Sequence, residues 1–419
     1  MSNDDILVGL DIGTSKICAV IAEIPETGGI DILGVGVAPS NGLRKGVVIN
    51  IEATLRSVSA AIERAENMAG REVSHVITGI SGAHIEGLNS RGVVAVTSKD
   101  REIGMIDVER VMDAAKAVVL PMDRELIHVI PQEFIVDDQR GVKDPIDMIG
   151  VRLEAEAHLI TGSVTAAQNL LKCVNRAGFK VDEIALDVLV ASQAVLSRDE
   201  MELGTMLIDI GGGTTDVILY KNGAPLYTNV VPVGGAEVTS DLSIMLQTPM
   251  DTMEEIKLTS GCCYAPMLEG DDSEIIIPGV GGRPPIAADR LTLCEYIQPR
   301  MTEIFSMVRD KVEHEAHFTR WQNLGGGIVL TGGGALLQGA AELAGDIFSV
   351  PVRIGLPHGI GGLTPEFQRP DLASAVGLIL HRAKKMISEG VDESRGFETS
   401  RKKGTRFESL KKWFKNFIE

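Results

Sequence analysis

Leu207-Ile-Asp-Ile-Gly-Gly-Gly-Thr-Thr-Asp216 is the stretch on which the reading of this chain turns. An apolar run enters an aspartate, three glycines and two threonines follow, and after a second aspartate a new apolar run (Val217 to Tyr220) begins at once. The pattern is strand, tight turn, strand. Glycines allow positive φ and bring backbone N–H groups close to an anion. The threonine hydroxyls of Thr214 and Thr215 add donors. Aspartates repel a phosphate, so their presence implies a divalent cation between the two. The stretch reads as a hairpin cradle for phosphate and metal. Taken alone it also fits an ordinary hairpin, since Asp-Gly and Gly-Gly turns serve many of those.

The pattern recurs. Ile6 to Leu10 is an apolar strand, Asp11-Ile-Gly-Thr-Ser-Lys16 a turn, and Ile17 to Ile24 a second strand. Two such hairpins, each opening what reads as one half of the chain, suggest a duplicated fold with a nucleotide between the halves. Lys16 beside a glycine-rich anion cradle reads as a phosphate contact rather than a solvated turn lysine. A third turn, Thr331-Gly-Gly-Gly-Ala335, follows the strand Gly325 to Leu330 and opens into a helix expected over Leu336 to Phe348; a helix N-terminus there favours an anion. The chain contains neither the Gly-x-x-x-x-Gly-Lys-[Ser/Thr] loop nor the Gly-x-Gly-x-x-Gly fingerprint.

Between these turns the periodicity predicts helices over 51–68, 107–118, 163–177, 184–196, 238–245, 253–258 and 371–386, and a long helix over 293–318 broken at Pro299. Strands are expected at 30–38, 73–80, 226–233 and 274–277. Residues 83–161 differ in texture, with short strands at 93–96, 126–130 and 133–136, and read as a small α/β subdomain inserted into the first half. His158 reads as structural. Gln193, in the helix expected at 184–196, reads as a packed side chain or one that holds a water near the cradle.

The whole chain bounds the function. Its 419 residues, 44% of them hydrophobic, provide for two to four domains. A net charge of −18 argues against a nucleic-acid-binding body. The five cysteines form no Cys-x-x-Cys, which fits a reducing cytoplasm and no structural zinc. The acidic start Met-Ser-Asn-Asp-Asp does not read as a signal peptide, and no apolar run approaches the length of a membrane span. The body is expected to be soluble.

The last residues depart from this. From about Ser388 to Gly404 the composition is that of a polar linker. Beyond it, helical winding at 100° per residue puts Phe407, Leu410, Trp413, Phe414, Phe417 and Ile418 on one arc of roughly 140°, with Lys411, Lys412 and Lys415 outside it. Residues 401–419 hold seven Lys/Arg and two Glu, a net of +5 in an otherwise acidic chain. Aromatics with a lysine-rich polar face describe a helix lying on an anionic membrane surface, in preference to one docked on the protein's own body.

The two hairpins and the third turn resemble the actin/Hsp70/sugar-kinase superfamily. Within it, Ile130-Pro-Gln-Glu133, Val280-Gly-Gly-Arg-Pro-Pro285, Ile328-Val-Leu-Thr-Gly-Gly333 and the terminal amphipathic helix make the chain similar to the FtsA family of bacterial cell-division proteins. The resemblance implies an α/β, actin-like duplicated ATPase fold around a nucleotide cleft. Its parts would be subdomain 1A (1–82 and 162–204), inserted subdomain 1C (83–161), subdomain 2A (205–229 and 303–386, the final helix returning to 1A) and subdomain 2B (230–302). A disordered linker (387–404) and a membrane-targeting helix (405–419) would follow.

It implies ATP and Mg²⁺ as ligands. Asp11 and Asp209 would hold Mg²⁺ through water; Gly13, Thr14, Ser15, Lys16, Gly211, Gly212, Gly213, Thr214 and Thr215 would hold the phosphates. Gly234, Gly235, Glu254, Lys257, Gly332, Gly333, Gly334 and Ala335 would surround the nucleoside. Gln193 falls where actin-like proteins place a water-orienting glutamine. Arg300 and Glu303 would take the FtsZ C-terminal peptide. The family polymerises, tethers FtsZ filaments to the inner membrane and recruits later division proteins, so the chain is expected to be a scaffold and at most a slow ATPase, peripheral on the cytoplasmic face of the membrane at the division site. The alternatives are a pilus-assembly scaffold of the same fold and a small-molecule kinase, for which the insertion offers no compelling acid or base. An Hsp70-type chaperone would need a large peptide-binding domain after the body.

Overall fold

The computed structural model describes residues 6–394 except 26–28, 272, 280, 363 and 366. β1 (Ile6–Ile12) and β2 (Lys16–Glu23) form the first hairpin, and β3 (Asp31–Pro39) lies antiparallel to β2. A short hairpin of β4 (Leu43–Arg44) and β5 (Val47–Val48) leads to α1 (Ile51–Ala69). Asn50 caps that helix by accepting the Ala53 N–H, and Gly70 stops it at a φ of 63°. β6 (His75–Ile80) then returns parallel to β1.

The insertion comprises β7 (Glu86–Ala95), α2 (Met105–Lys116), β8 (Arg124–Val136), β9 (Gln139–Val142) and β10 (Arg152–Ser163), an antiparallel sheet in the order β7-β10-β8-β9. It closes on a small core of its own around Ile103, Val111, Phe134 and Leu153. α3 (Val164–Arg176), β11 (Lys180–Leu186), α4 (Asp187–Val195) and α5 (Arg198–Leu203) complete the first half.

The second half repeats the plan. β12 (Thr205–Ile210), β13 (Thr215–Lys221) and β14 (Ala224–Val231) form an antiparallel meander, followed by α6 (Gly235–Leu246), α7 (Met250–Ser260), β15 (Glu274–Ile277), β16 (Ile286–Asp289) and α8 (Arg290–Glu315). Then come β17 (Ile328–Thr331), α9 (Ala340–Phe348), β18 (Val352–Ile354) and α10 (Ala373–Ser394). The two large sheets run β11-β6-β1-β2-β3 and β18-β17-β12-β13-β14. Each is a three-strand antiparallel meander extended by two parallel strands, which is the duplication the two turn motifs suggested.

The packing explains why α4 shows little helical alternation. α1 and α3 cover one face of the first sheet, and α6, α8 and α9 cover the far face of the second. α4 and α10 sit between the two sheets, where Leu7 and Val20 of the first and Leu207, Ile218 and Val329 of the second meet Val188, Ala191, Val376 and Ile379. Every residue of α4 except Gln193 is buried. At about 1.5–3 kcal/mol for each large apolar side chain removed from water, this shared layer holds the halves together at their base and leaves the turn ends of the sheets to form a cleft.

Several boundaries differ from expectation. The run expected as one helix over 184–196 divides into β11 and α4, because a segment buried on all sides carries no periodicity to tell strand from helix. The strands expected at 126–130 and 133–136 are one strand, β8; its Pro131 sits at a bulge opposite Ala157, where a missing N–H costs least. α8 runs unbroken through Pro299, which faces solvent, so water can satisfy the carbonyl that the proline leaves free. The third glycine turn passes through a 3-10 turn (Gly333–Leu336) before α9 begins at Ala340. α10 continues to Ser394, into the stretch whose composition reads as linker. The segment expected as a terminal amphipathic helix, 405–419, lies outside the described residues.

Candidate functional site

Both glycine hairpins close in the same way. In the first the Gly13 N–H donates to the Lys16 carbonyl at 3.0 Å, and in the second the Gly211 N–H donates to the Thr214 carbonyl at 2.9 Å. Their tips face each other. A Cβ on Gly212 would run into the Ser15 hydroxyl, and one on Gly213 would come within 2.8 Å of the Thr14 methyl. Glycine is required here by the closeness of the opposite hairpin. The third turn joins them: Gly332, at a φ of 82°, backs directly onto the Asp209 carboxylate, and buried Thr331 donates to the Pro370 carbonyl at 3.0 Å. Gly234 and Gly235 close the same pocket from α6, whose Gly235 and Ala236 N–H groups donate to the Gly211 and Gly212 carbonyls at 2.9 and 2.8 Å. The glycine sets named from the sequence therefore come together from four places in the chain.

Four carboxylates line the floor. Burial, then the neighbouring Asp216 and Asp11, push the pKa of Asp209 up to about 7. Burial raises Asp11 to about 6 against the pull of Lys16. Burial raises Asp216 to about 6, although the Ser81 hydroxyl donates to it at 2.6 Å. Asp187, at the first turn of α4, is raised well above the usual carboxylate range by burial and by the charges of Asp11, Asp216 and Asp209. It is 9% exposed, and its Oδ1 has no hydrogen-bond partner. Carboxylates gathered this closely are costly without a counter-charge. Among the described residues no three His, Cys, Asp or Glu side chains are arranged to ligate one ion directly. The crowded carboxylates and the two opposed glycine tips fit magnesium and phosphate.

The other named residues divide. Lys16 lies in the cleft but is held by Asp371, whose Oδ2 is 2.6 Å from its Nζ and whose carbonyl also accepts from it; Arg369 grips the same carboxylate. Lys257 is buried, with Nζ bonded to Glu254 (2.7 Å), Thr239 (2.8 Å) and the Gly235 carbonyl (3.0 Å), so it fixes the start of α6. Gln193 is displaced from its expected place: its amide faces His381 Nδ1 on α10 at 3.4 Å, six residues (about 9 Å) along α4 from Asp187. Arg300 is clamped by Asp241 at 2.6 and 3.1 Å and by Glu303. His158 is structural: buried, its pKa lowered to about 4 by burial, it bridges Asn89 and Thr228.

Asp187, Ser81, Ser374 and Asp371 were missed from the sequence. Ser374 donates to Asp209 Oδ2 at 3.2 Å. Only Asp187 carried a signal, as a lone charge in the apolar run Ile184 to Ala191. The tail residues Phe407, Leu410, Lys411, Trp413, Phe414, Lys415, Phe417 and Ile418 lie outside the described residues.

Known proteins share this fold. The fold is similar to a PilM–PilN type IV pilus biogenesis complex (17% identity, TM-score 0.63, 90% of this chain and 98% of that one). It is also similar to MreB5 of Spiroplasma citri bound to ADP (14%, TM-score 0.53, 93% and 98%) and to a MamK double helical filament (12%, TM-score 0.51, 90% and 98%). These likenesses place the body in the actin-like fold. The sequence is 49% identical to cell division protein FtsA of Borreliella burgdorferi over 90% of this chain and 91% of that protein. To the Pseudomonas aeruginosa protein of the same description it is 42% identical over 97% of each. The model of cell division protein FtsA matches residues 206–377, and that of the SHS2 domain inserted in FtsA matches 82–161, the β7–β10 unit. Among the described residues no helix is long and apolar enough to cross a membrane. Identity of this degree along nine-tenths of its length means that the chain belongs to the FtsA family of cell-division proteins.

Proposed function

We propose that this cell-division protein binds ATP with Mg²⁺ between its two halves, polymerises, and ties FtsZ filaments to the cytoplasmic face of the membrane through residues 405–419. The observation that carries the nucleotide reading is the pair of opposed glycine hairpins above four buried carboxylates. MreB5, of the same fold, has been solved with ADP and with AMPPNP, which supports the same use of this cleft. Bound Mg²⁺ would supply the positive charge that both the phosphates and the carboxylates lack. Asp11 and Asp209 would hold its waters, and the amides of 14–15 and 212–214, which the hairpin bonds of Gly13 and Gly211 leave free, would receive the phosphate oxygens. Asp187, at the buried first turn of α4 beside Asp11, Asp209 and Asp216, accepts the proton of an attacking water; Gln193, which the resemblance cast as orienting that water, lies further along the helix.

Polymerisation turns a weak anchor into a firm one. A single shallow helix binds a membrane reversibly, whereas a filament presents many at once, and effective concentration then does the rest. Arg300, held by Asp241, and Glu303, paired with Arg300 on α8, would meet the FtsZ C-terminal peptide, and the insertion offers a surface for later division proteins. The test is co-sedimentation of the full chain with anionic vesicles, comparing wild type with a Trp413→Glu, Phe414→Glu double variant. The variant should stay in solution and bind ATP as well as wild type. Vesicle binding that persists in the variant refutes the membrane reading; a wild-type protein that does not bind MgATP refutes the cleft reading.

A further inference from the structure

The β4–β5 hairpin is the smallest element of the first half, and its tip lies in the cleft. Leu43 pairs with Val48 and Arg44 with Val47, leaving Lys45-Gly46 as a two-residue turn with φ of 51° and 76°. Positive φ at both positions is a type I′ turn, in which the first place favours Asn, Asp or Gly. A lysine there carries about 1 kcal/mol of backbone strain. Strain of this kind is retained where the side chain or its position is used.

The tip is wedged among the elements of the phosphate cradle. The Gly46 N–H donates to Thr14 Oγ1 at 3.0 Å, and the Ser40 N–H to the Ser15 carbonyl at 3.1 Å. A Cβ on Gly213 would lie 3.1 Å from the Lys45 nitrogen, and one on Gly46 would lie 2.7 Å from the Ser81 carbonyl. The backbone of Lys45 thus abuts both hairpin tips. Its ammonium crosses to the second half, 3.8 Å from Glu237 Oε1 on α6, while the other Glu237 oxygen accepts the Gly234 N–H at 3.0 Å. That ion pair is long and its partners are 44% and 26% exposed, so it is worth no more than about 1 kcal/mol and yields to a stronger anion. Lys16, by comparison, is already committed to a carboxylate and a carbonyl of Asp371.

We propose that Lys45 is an additional phosphate ligand: its ammonium leaves Glu237 for the terminal phosphate of a bound nucleoside triphosphate. It is supplied by a loop outside the duplicated core, so the contact between the halves at the cleft mouth reports whether a third phosphate is present. The inference rests on the nucleotide reading of the cleft.

The test is titration of the full chain with fluorescent ATP and ADP analogues in Mg²⁺, for wild type, Lys45→Asn and Lys45→Arg. Asparagine suits the first place of a type I′ turn, so this variant keeps the hairpin while losing the charge. Loss of one charge-assisted phosphate contact is expected to weaken ATP about tenfold, leave ADP within about twofold, and be reversed in part by arginine. An ATP-to-ADP affinity ratio in Lys45→Asn equal to that of wild type, or an equal loss for both nucleotides, overturns the inference while leaving the nucleotide reading intact. A wild-type protein that binds neither nucleotide overturns both.

Discussion

Replacing Asp209 by asparagine should make the empty protein more stable while it abolishes MgATP binding. In the folded chain the Asp209 carboxyl has a pKa of about 7, against an ordinary value of 3.8, because burial and the charges of Asp216 and Asp11 oppose its ionisation. From about pH 4 to pH 7 the folded state therefore keeps a proton that the unfolded state has lost, and stability falls as pH rises through that window. Asp11 and Asp216, each raised to about 6, steepen the fall over its lower part. A displacement of about three pH units corresponds to a ceiling of about 4 kcal/mol at pH 8. Asparagine is isosteric and uncharged, and its oxygen can still accept the Ser374 hydroxyl, so about 2–4 kcal/mol of that ceiling should be recovered. The assay is thermal or urea denaturation of both proteins between pH 5 and 8, with and without MgATP. Wild type alone should lose stability with rising pH, the variant much less, and MgATP should flatten the wild-type profile. A wild type that gains stability from pH 5 to 8, or a variant no more stable than wild type at pH 8, refutes the argument from crowded carboxylates.

Three further outcomes follow from the same geometry. Gly234→Ala places a Cβ 2.5 Å from the Gly211 carbonyl oxygen and 2.8 Å from that of Gly212; α6 must back away from the second hairpin, lowering stability by about 2–4 kcal/mol in denaturation curves and weakening nucleotide in titrations. Asp371→Asn removes the carboxylate that occupies Lys16, so nucleotide affinity should rise about three- to tenfold at low salt, less at high salt; a fall would show that the pair does not compete with phosphate. Asp187→Asn should bind ATP within about twofold of wild type and lose about a hundredfold of whatever phosphate release wild type shows, whereas Gln193→Ala should leave that release unchanged.

Turn chemistry carried most of what the sequence disclosed. Glycines at 13, 211–213, 332 and 334 mark places where a Cβ would crowd a neighbouring turn or strand, and the turn strings that hold them are short, so the two halves and their cleft could be read from three of them. α1 was legible to within one residue because Asn50 and Gly70 bracket an amphipathic pattern. Position in space is another matter. Gln193 and Asp187 lie on one short helix, and nothing local says which end enters the cleft; that is settled by β11, whose last residues, Ile184 to Leu186, run straight into the buried apolar α4 and hide the change from strand to helix. Asp371 and Ser374 reach the site from more than 150 residues away in the chain, through a packing of α10 that no spacing encodes.

α10 is 22 residues long, about 33 Å as a helix. Its first turn touches a cleft carboxylate through Ser374, and the 3-10 turn just ahead of it holds Lys16 through Asp371. Its far end is the point from which the chain continues toward residues 405–419. Any pull exerted on those terminal residues enters the body along the axis of α10, as tension on a hydrogen-bonded rod whose other end is fastened at Asp209 and Lys16. Such tension passes first through the Glu183 pairs of His381 and Lys385 and the buried layer around Ile379 and Val376, and reaches Ser374 and Asp371 last, so mechanical load at the C-terminus and occupancy of the cleft meet at the first turn of the helix.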